Sequence, residues 1–277
     1  MKQNTRSGNG GGGARGALAL VAIVFAAAVC AGLFAAYDRL RDVWREQCVL
    51  TDPASQVSIS AGRLVKADVV ADAFGLRNGA NLAEIDFAAR RADMLAKHPA
   101  IRDISVTRRL PRRVEISVFE REPLVRLGVS GRKGDSGRVA DEEGVVFGCR
   151  RGTGMLPIIK EPSAPGGETP AGRRLSGRQL AALRMLRACR APAFQGLRFL
   201  EVDVSKPDYL VATLSDYATA NVSWPGMDDD GGGRDMMAKT LERWLAAMRG
   251  GAETGARVWN VFGPGRIYAD TKERLIP

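Results

Sequence analysis

The stretch Ile101-Arg-Asp-Ile-Ser-Val-Thr-Arg-Arg-Leu-Pro-Arg-Arg-Val-Glu-Ile-Ser-Val-Phe-Glu-Arg-Glu122 decides the reading of this chain. Ile104 and Val106 alternate with Ser105 and Thr107, and Val114, Ile116 and Val118 alternate with Glu115 and Ser117. A period of two on both sides of Leu110-Pro111-Arg112 predicts a hairpin with one apolar face.

That face needs a cover, and the upstream residues supply one. Asp86 suits a helix N-cap. Ala88, Ala92 and Leu95 follow at i, i+4 and i+7, with Phe87 and Met94 beside them, and His98-Pro99 ends the helix. A shorter helix near Lys66 to Phe74 carries Val69, Val70, Ala73 and Phe74 and stops at Gly75. Before it, Val57 and Ile59 alternate with Ser58 and Ser60 as a first strand. The expectation is an α+β unit of order β-α-α-β-β, two helices on one face of a three-stranded sheet.

Several pieces recur here in order and at close spacing: Gly62, Gly75 to Leu82, Asp86, His98 to Ile101, Val106 to Pro111, Val114 to Val118, and Glu120-Arg121-Glu122-Pro123. Together they resemble the POTRA domain of the FtsQ/DivIB family of bacterial cell-division proteins. The resemblance is close over Val57 to Leu124 and looser to about Asp270.

Working outward toward the N-terminus, Met1 to Gly16 is polar and glycine-rich and reads as a disordered tail. Residues 17–37, Ala17 to Tyr37, carry no charge. As a helix they would span roughly 30 Å, the thickness of a bilayer's hydrocarbon core, so they read as one transmembrane helix. Arginines follow the span as well as precede it, so charge bias leaves its orientation nearly neutral. The resemblance implies a cytoplasmic N-terminus, with the bulk of the chain outside the inner membrane as a single-pass type II protein. Residues 38–54 form a juxtamembrane linker, expected to continue the helix for a turn or two and break at Asp52-Pro53. Residues 55–124 are the POTRA-like domain.

Residues 125–277 read as a β-rich domain, mostly antiparallel, with two helices. Arg138 to Ala140 and Val145 to Phe147 flank the turn Asp141-Glu142-Glu143-Gly144, and Leu156-Pro157-Ile158-Ile159 follows, both as in the family. Pro162 to Ala171 is a surface loop. Ser176 caps a helix with Gln179 in the capping-box position. Residues 198–204, 209–214 and 220–224 make a meander, and Asp228 to Gly233 a flexible link. The second helix places Met237, Leu241, Trp244, Leu245 and Met248 on one face, and 257–262 and 266–269 are the final strands. The family's penultimate strand has an acid followed by Arg, whereas here Trp259 and Asn260 precede Val261.

Composition excludes more than it selects. The net charge of +10 is spread along the chain without aromatic interleaving, which argues against nucleic acid and fits exposure to anionic lipid headgroups. The sole histidine, His98, occupies a helix-to-strand turn, and no phosphate loop, nucleophile elbow or metal-ligand spacing is present. No enzyme activity, cofactor or small-molecule substrate is expected. Cys149 and Cys189 could pair in an oxidising compartment, which spacing alone does not decide.

The resemblance implies a non-enzymatic scaffold of the divisome at the division septum. It would bind the small coiled-coil proteins FtsB and FtsL and couple early assembly to septal peptidoglycan synthesis. Strand addition to the last strand is a physical route, and Phe262, Gly265, Ile267 and Tyr268 are the residues placed at that edge. The alternative is a POTRA-containing envelope or outer-membrane assembly factor. Such proteins carry a large barrel, which about 150 residues with two helices do not build.

Overall fold

The computed structural model describes residues 12–109, 111–150, 152–163, 166, 168–250, 256–263 and 265–270, without the side chains of 12–24. The fold groups these residues into two units. One draws on residues up to 59, 71–87 and 106–116, the other on 60–70, 88–105 and 117 onward.

Helix α1, Gly12–Gln47, is continuous over 36 residues. It therefore runs ten residues past Tyr37, nearly three turns, where the sequence predicted one or two. The expected break comes early, and Pro53 instead opens a single turn, α2, Pro53–Gln56. Among the described residues no helix is long and apolar enough to cross a membrane. The expected span begins outside the described side chains, as does most of the expected disordered tail. From Phe25 to Tyr37 every residue of α1 is exposed, Phe25, Leu33 and Phe34 by about two-thirds (70, 67 and 68 %).

Three strands, β1 (Val57–Ser60), β2 (Ile101–Arg109) and β3 (Arg113–Glu120), form one sheet in the order β1-β3-β2. Between β1 and β2 lie α3 (Ala67–Phe74) and α4 (Phe87–Lys97). The predicted β-α-α-β-β order is present, with Gly75 at φ +70° ending α3 as only glycine does cheaply. Val114, Ile116 and Val118 are buried as the alternation required. Of the residues expected to face the sheet, α4 buries Phe87 and Met94 and half-buries Leu95, but not the two alanines. Ala88 and Ala92 are exposed, whereas Phe87 and Met94, seven residues apart, are buried. Two large side chains remove more apolar surface from water than the alanines could. Arg91 then lies across, donating from Nε to the Ile104 carbonyl at 2.8 Å and pairing with Asp103.

The motif residues Gly62 and Glu120 work together. The Glu120 carboxylate accepts backbone hydrogen bonds from Arg63 (2.8 Å), Leu64 (2.7 Å) and Val65 (2.7 Å). A Cβ on Gly62 would collide with that carboxylate, so the close approach needs glycine. Next along, Arg121 donates through Nη1 to Asp141 (2.6 Å) and Glu143 (3.3 Å), its side chain 13 % exposed. Arg121's hydrogen bond is the main reason the Glu143 carboxyl lies below its usual range.

The rest of the chain builds a nine-stranded sheet. Its strands are β4 (Val125–Val129), β5 (Arg138–Ala140), β6 (Val146–Gly148), β7 (Ile158–Glu161), β8 (Phe199–Asp203), β9 (Tyr209–Leu214), β10 (Thr219–Ser223), β11 (Val258–Val261) and β12 (Ile267–Asp270). The order is β12-β11-β10-β9-β8-β7-β4-β5-β6. Five pairings are antiparallel, as expected, but β4-β7, β7-β8 and β10-β11 are parallel. Two of the parallel joints are helix crossovers, α5 (Gly177–Ala188) between β7 and β8 and α6 (Gly233–Arg249) between β10 and β11. Leu183, Met185, Met237, Leu241 and Trp244 from these helices share one core with Ile159, Val202, Ala212, Ala220 and Val261 of the sheet.

The expected capping box is corrected. Ser176 makes no side-chain cap, and Gln179 donates instead to Glu161 (3.0 Å). Glu161 is fully buried and takes Arg138 (2.9 Å), the Thr169 amide (2.8 Å) and Gln179 as partners, a need that outweighs a helix cap. Burial raises the Glu161 carboxyl above its ordinary value of 4.5. All four cysteines are thiols, so Cys149 and Cys189 are not bridged, and burial pushes the Cys189 thiol up to about 12. The Asp228 to Gly233 link is held rather than loose, because Arg184 donates to the Met227 and Asp229 carbonyls and pairs with Asp230.

Candidate partner-binding edge

The α6 crossover sets β11 beside β10 in parallel register, and a short turn brings β12 back antiparallel to β11. Among the described residues β12 is paired on one side only and forms the end of the nine-stranded sheet.

All four residues that the sequence placed at this edge lie in or beside β12. Phe262 follows β11 and is 44 % exposed, and Tyr268 on β12 is 49 % exposed. Their rings are tilted, with centroids 6.2 Å apart, an aromatic pair facing out from the last two strands. Gly265 sits in the turn, where a Cβ would meet nothing within 4 Å, so close packing does not demand glycine there. Ile267 differs from the other three in that its side chain is half-buried and packs against the main core.

The backbone register gives Ile267 its other role. Phe262 donates its N–H to the Arg266 carbonyl at 2.8 Å, and the next Cα partners are Val261 with Ile267 and Asn260 with Tyr268. In an antiparallel ladder bonded and non-bonded pairs alternate, so the Ile267 pair is non-bonded and its N–H and C=O point away from β11. The edge thus offers Ile267's backbone groups for pairing beside an exposed aromatic pair.

The unusual Trp259-Asn260 pair divides between the two faces of the sheet. Trp259 is buried in the core, and on the other face Asn260 accepts a hydrogen bond from Asn221 Nδ2 at 3.0 Å. That side-chain bond between parallel neighbours fixes β11 against β10 without the family's acid and arginine.

Among the described residues no cluster of three His, Cys, Asp or Glu side chains is set to hold a metal. His98 serves its turn through the backbone, its N–H bonding Met94 and its carbonyl accepting from Ile101.

A β-α-α-β-β segment with sheet order β1-β3-β2 is the architecture of a POTRA domain. The comparison with family models agrees and is more specific. Residues 53–121 match the model for the POTRA domain, FtsQ-type, which supports a protein of the FtsQ/DivIB family. No curated protein matches the chain.

Proposed function

We propose that this chain is a non-enzymatic scaffold of the bacterial divisome, held in the inner membrane by α1 and binding other division proteins outside it. The match of residues 53–121 to the FtsQ-type POTRA domain carries this reading. The uniformly exposed apolar side chains of α1 from Phe25 to Tyr37 support the anchor, since a helix apolar all round belongs in lipid. In this reading the N-terminus is cytoplasmic, residues 55–124 and 125–277 are the two outer domains, and the protein gathers at the septum.

The partner adds a strand to β12. Ile267's outward backbone groups supply hydrogen bonds, and Phe262 and Tyr268 supply the side-chain contact. Partners of the FtsB and FtsL type fit, because a coiled-coil protein with an extended tail can offer such a strand. Replacing Ile267 with Pro removes an outward donor without breaking a bond to β11, and Tyr268→Ala removes the exposed ring. Both variants should stay folded by circular dichroism and lose the partner in a pull-down. A folded Tyr268→Ala variant that captures the partner as well as wild type does would refute the edge-strand reading.

A further inference from the structure

We propose that the arginine-rich end of the β2–β3 hairpin is a contact surface for anionic lipid headgroups; this rests on the reading of α1 as the membrane anchor. Three segments converge where α1 ends. Arg112 Nε donates to the Gln47 carbonyl (2.9 Å), and Asn81 Nδ2 to the Arg45 carbonyl (3.2 Å), capping the last turn of the helix. Beyond it, Leu50 bonds Ala80 (2.8 Å), Gly79 bonds Leu50 (2.8 Å) and Leu82 bonds Cys48 (3.0 Å), with Cys48 and Leu50 fully buried. Helix α1 thus enters the fold as a fixed element, and the loop and hairpin that grip it are held at its base.

The hairpin among these gripping segments is basic. Arg108, Arg109, Arg112 and Arg113 flank the hairpin turn, and Arg77 and Arg45 lie on the other two segments. Arg77, Arg108, Arg109, Arg112 and Arg113 are exposed. The excess lies on the hairpin, where four arginines face one acid, Glu115, engaged by Arg109 at 3.0 Å; on the end of α1 Arg39, Arg41 and Arg45 are balanced by Asp38, Asp42 and Glu46, and the loop's Arg77 is opposed by Glu84 and Asp86. Arg108 lies over the Phe87 ring at 5.3 Å.

Distance along α1 places this patch within reach of a membrane. The ten residues from Asp38 to Gln47 span about 15 Å as helix, and a headgroup layer takes up about 5–7 Å of that. The remaining gap is about one physiological Debye length, within reach of a long arginine side chain, and tilting of the helix shortens it. The partner is therefore the anionic leaflet from which α1 emerges, and each arginine close to it strengthens the contact roughly fivefold.

Arginine footprinting with phenylglyoxal tests this on the full chain in nanodiscs of phosphatidylcholine alone or with phosphatidylglycerol. Labelling of Arg109 and Arg113 should slow at least about fivefold in the anionic discs relative to Arg132, an exposed arginine outside the patch. High salt should abolish the difference. Equal labelling in the two kinds of disc, with the chain incorporated, would overturn the proposal, as it would if the patch served a protein or nucleic acid. Failure of the chain to enter discs at all, seen before any labelling, would overturn the anchor reading and this proposal with it.

Discussion

The three-amide grip of Glu120 makes a quantitative prediction. Truncating Glu120 to Ala removes one acceptor from three backbone donors at 2.7–2.8 Å. Arg63 is exposed and its amide turns to water, while Leu64 is half-buried and Val65 buried, so two donors lose their partner without full hydration. An unsatisfied buried donor costs about 1–3 kcal/mol, which puts the loss at roughly 3 kcal/mol. At 1.36 kcal/mol per tenfold, the opening equilibrium of this segment should rise by roughly two orders of magnitude. Hydrogen exchange at the Leu64 and Val65 amides reads it directly. Gly62→Ala should expose the same amides, because its Cβ displaces the carboxylate. The two substitutions remove one interaction, so the double variant should cost about as much as either single one. Additive effects, or unchanged exchange at Leu64 and Val65 in Glu120→Ala, would refute the reasoning.

Two further outcomes follow from groups in the nine-stranded sheet unit. Because the Glu161 carboxyl is raised in the fold, its contribution is fully present below its unfolded value of 4.5 and is lost as pH rises through the higher folded value. Wild type should therefore gain stability relative to Glu161→Gln as pH falls from neutral toward 4.5, read as the difference between urea midpoints, and the opposite slope would contradict the assignment. Mass spectrometry after denaturing, non-reducing alkylation should find four labelled cysteines, with Cys189 labelling slowly in the native chain because its thiol sits near 12; a Cys149–Cys189 bridge would contradict it.

Local patterning made much of this fold legible. The alternation through Val114, Ile116 and Val118, the stop at Gly75 and the apolar face of α6 follow from residues a few positions apart, and each stands as read. Features set by distant partners were not legible. Gln179 looked like a capping residue because Glu161, which claims it, lies eighteen positions away. The parallel β4-β7 and β7-β8 joints depend on strands brought together across loops and a helix. On α4 the i, i+4, i+7 spacing of Ala88, Ala92 and Leu95 does not reveal that the larger Phe87 and Met94 beside them take the buried positions. At the edge, β12's terminal place was legible from chain order, while Ile267's division of labour, side chain inward and backbone outward, emerged only with the register. No signal in the sequence pointed to the grip on α1's last turn, because Arg112 and Gln47 are 65 residues apart.

The central claim, a septal scaffold built on an FtsQ-type POTRA domain, is tested most directly by following a fluorescent fusion of the full chain in growing cells. A band at midcell that forms before constriction is expected, and it should weaken in Tyr268→Ala cells. A uniform signal around the envelope throughout the cell cycle would contradict it.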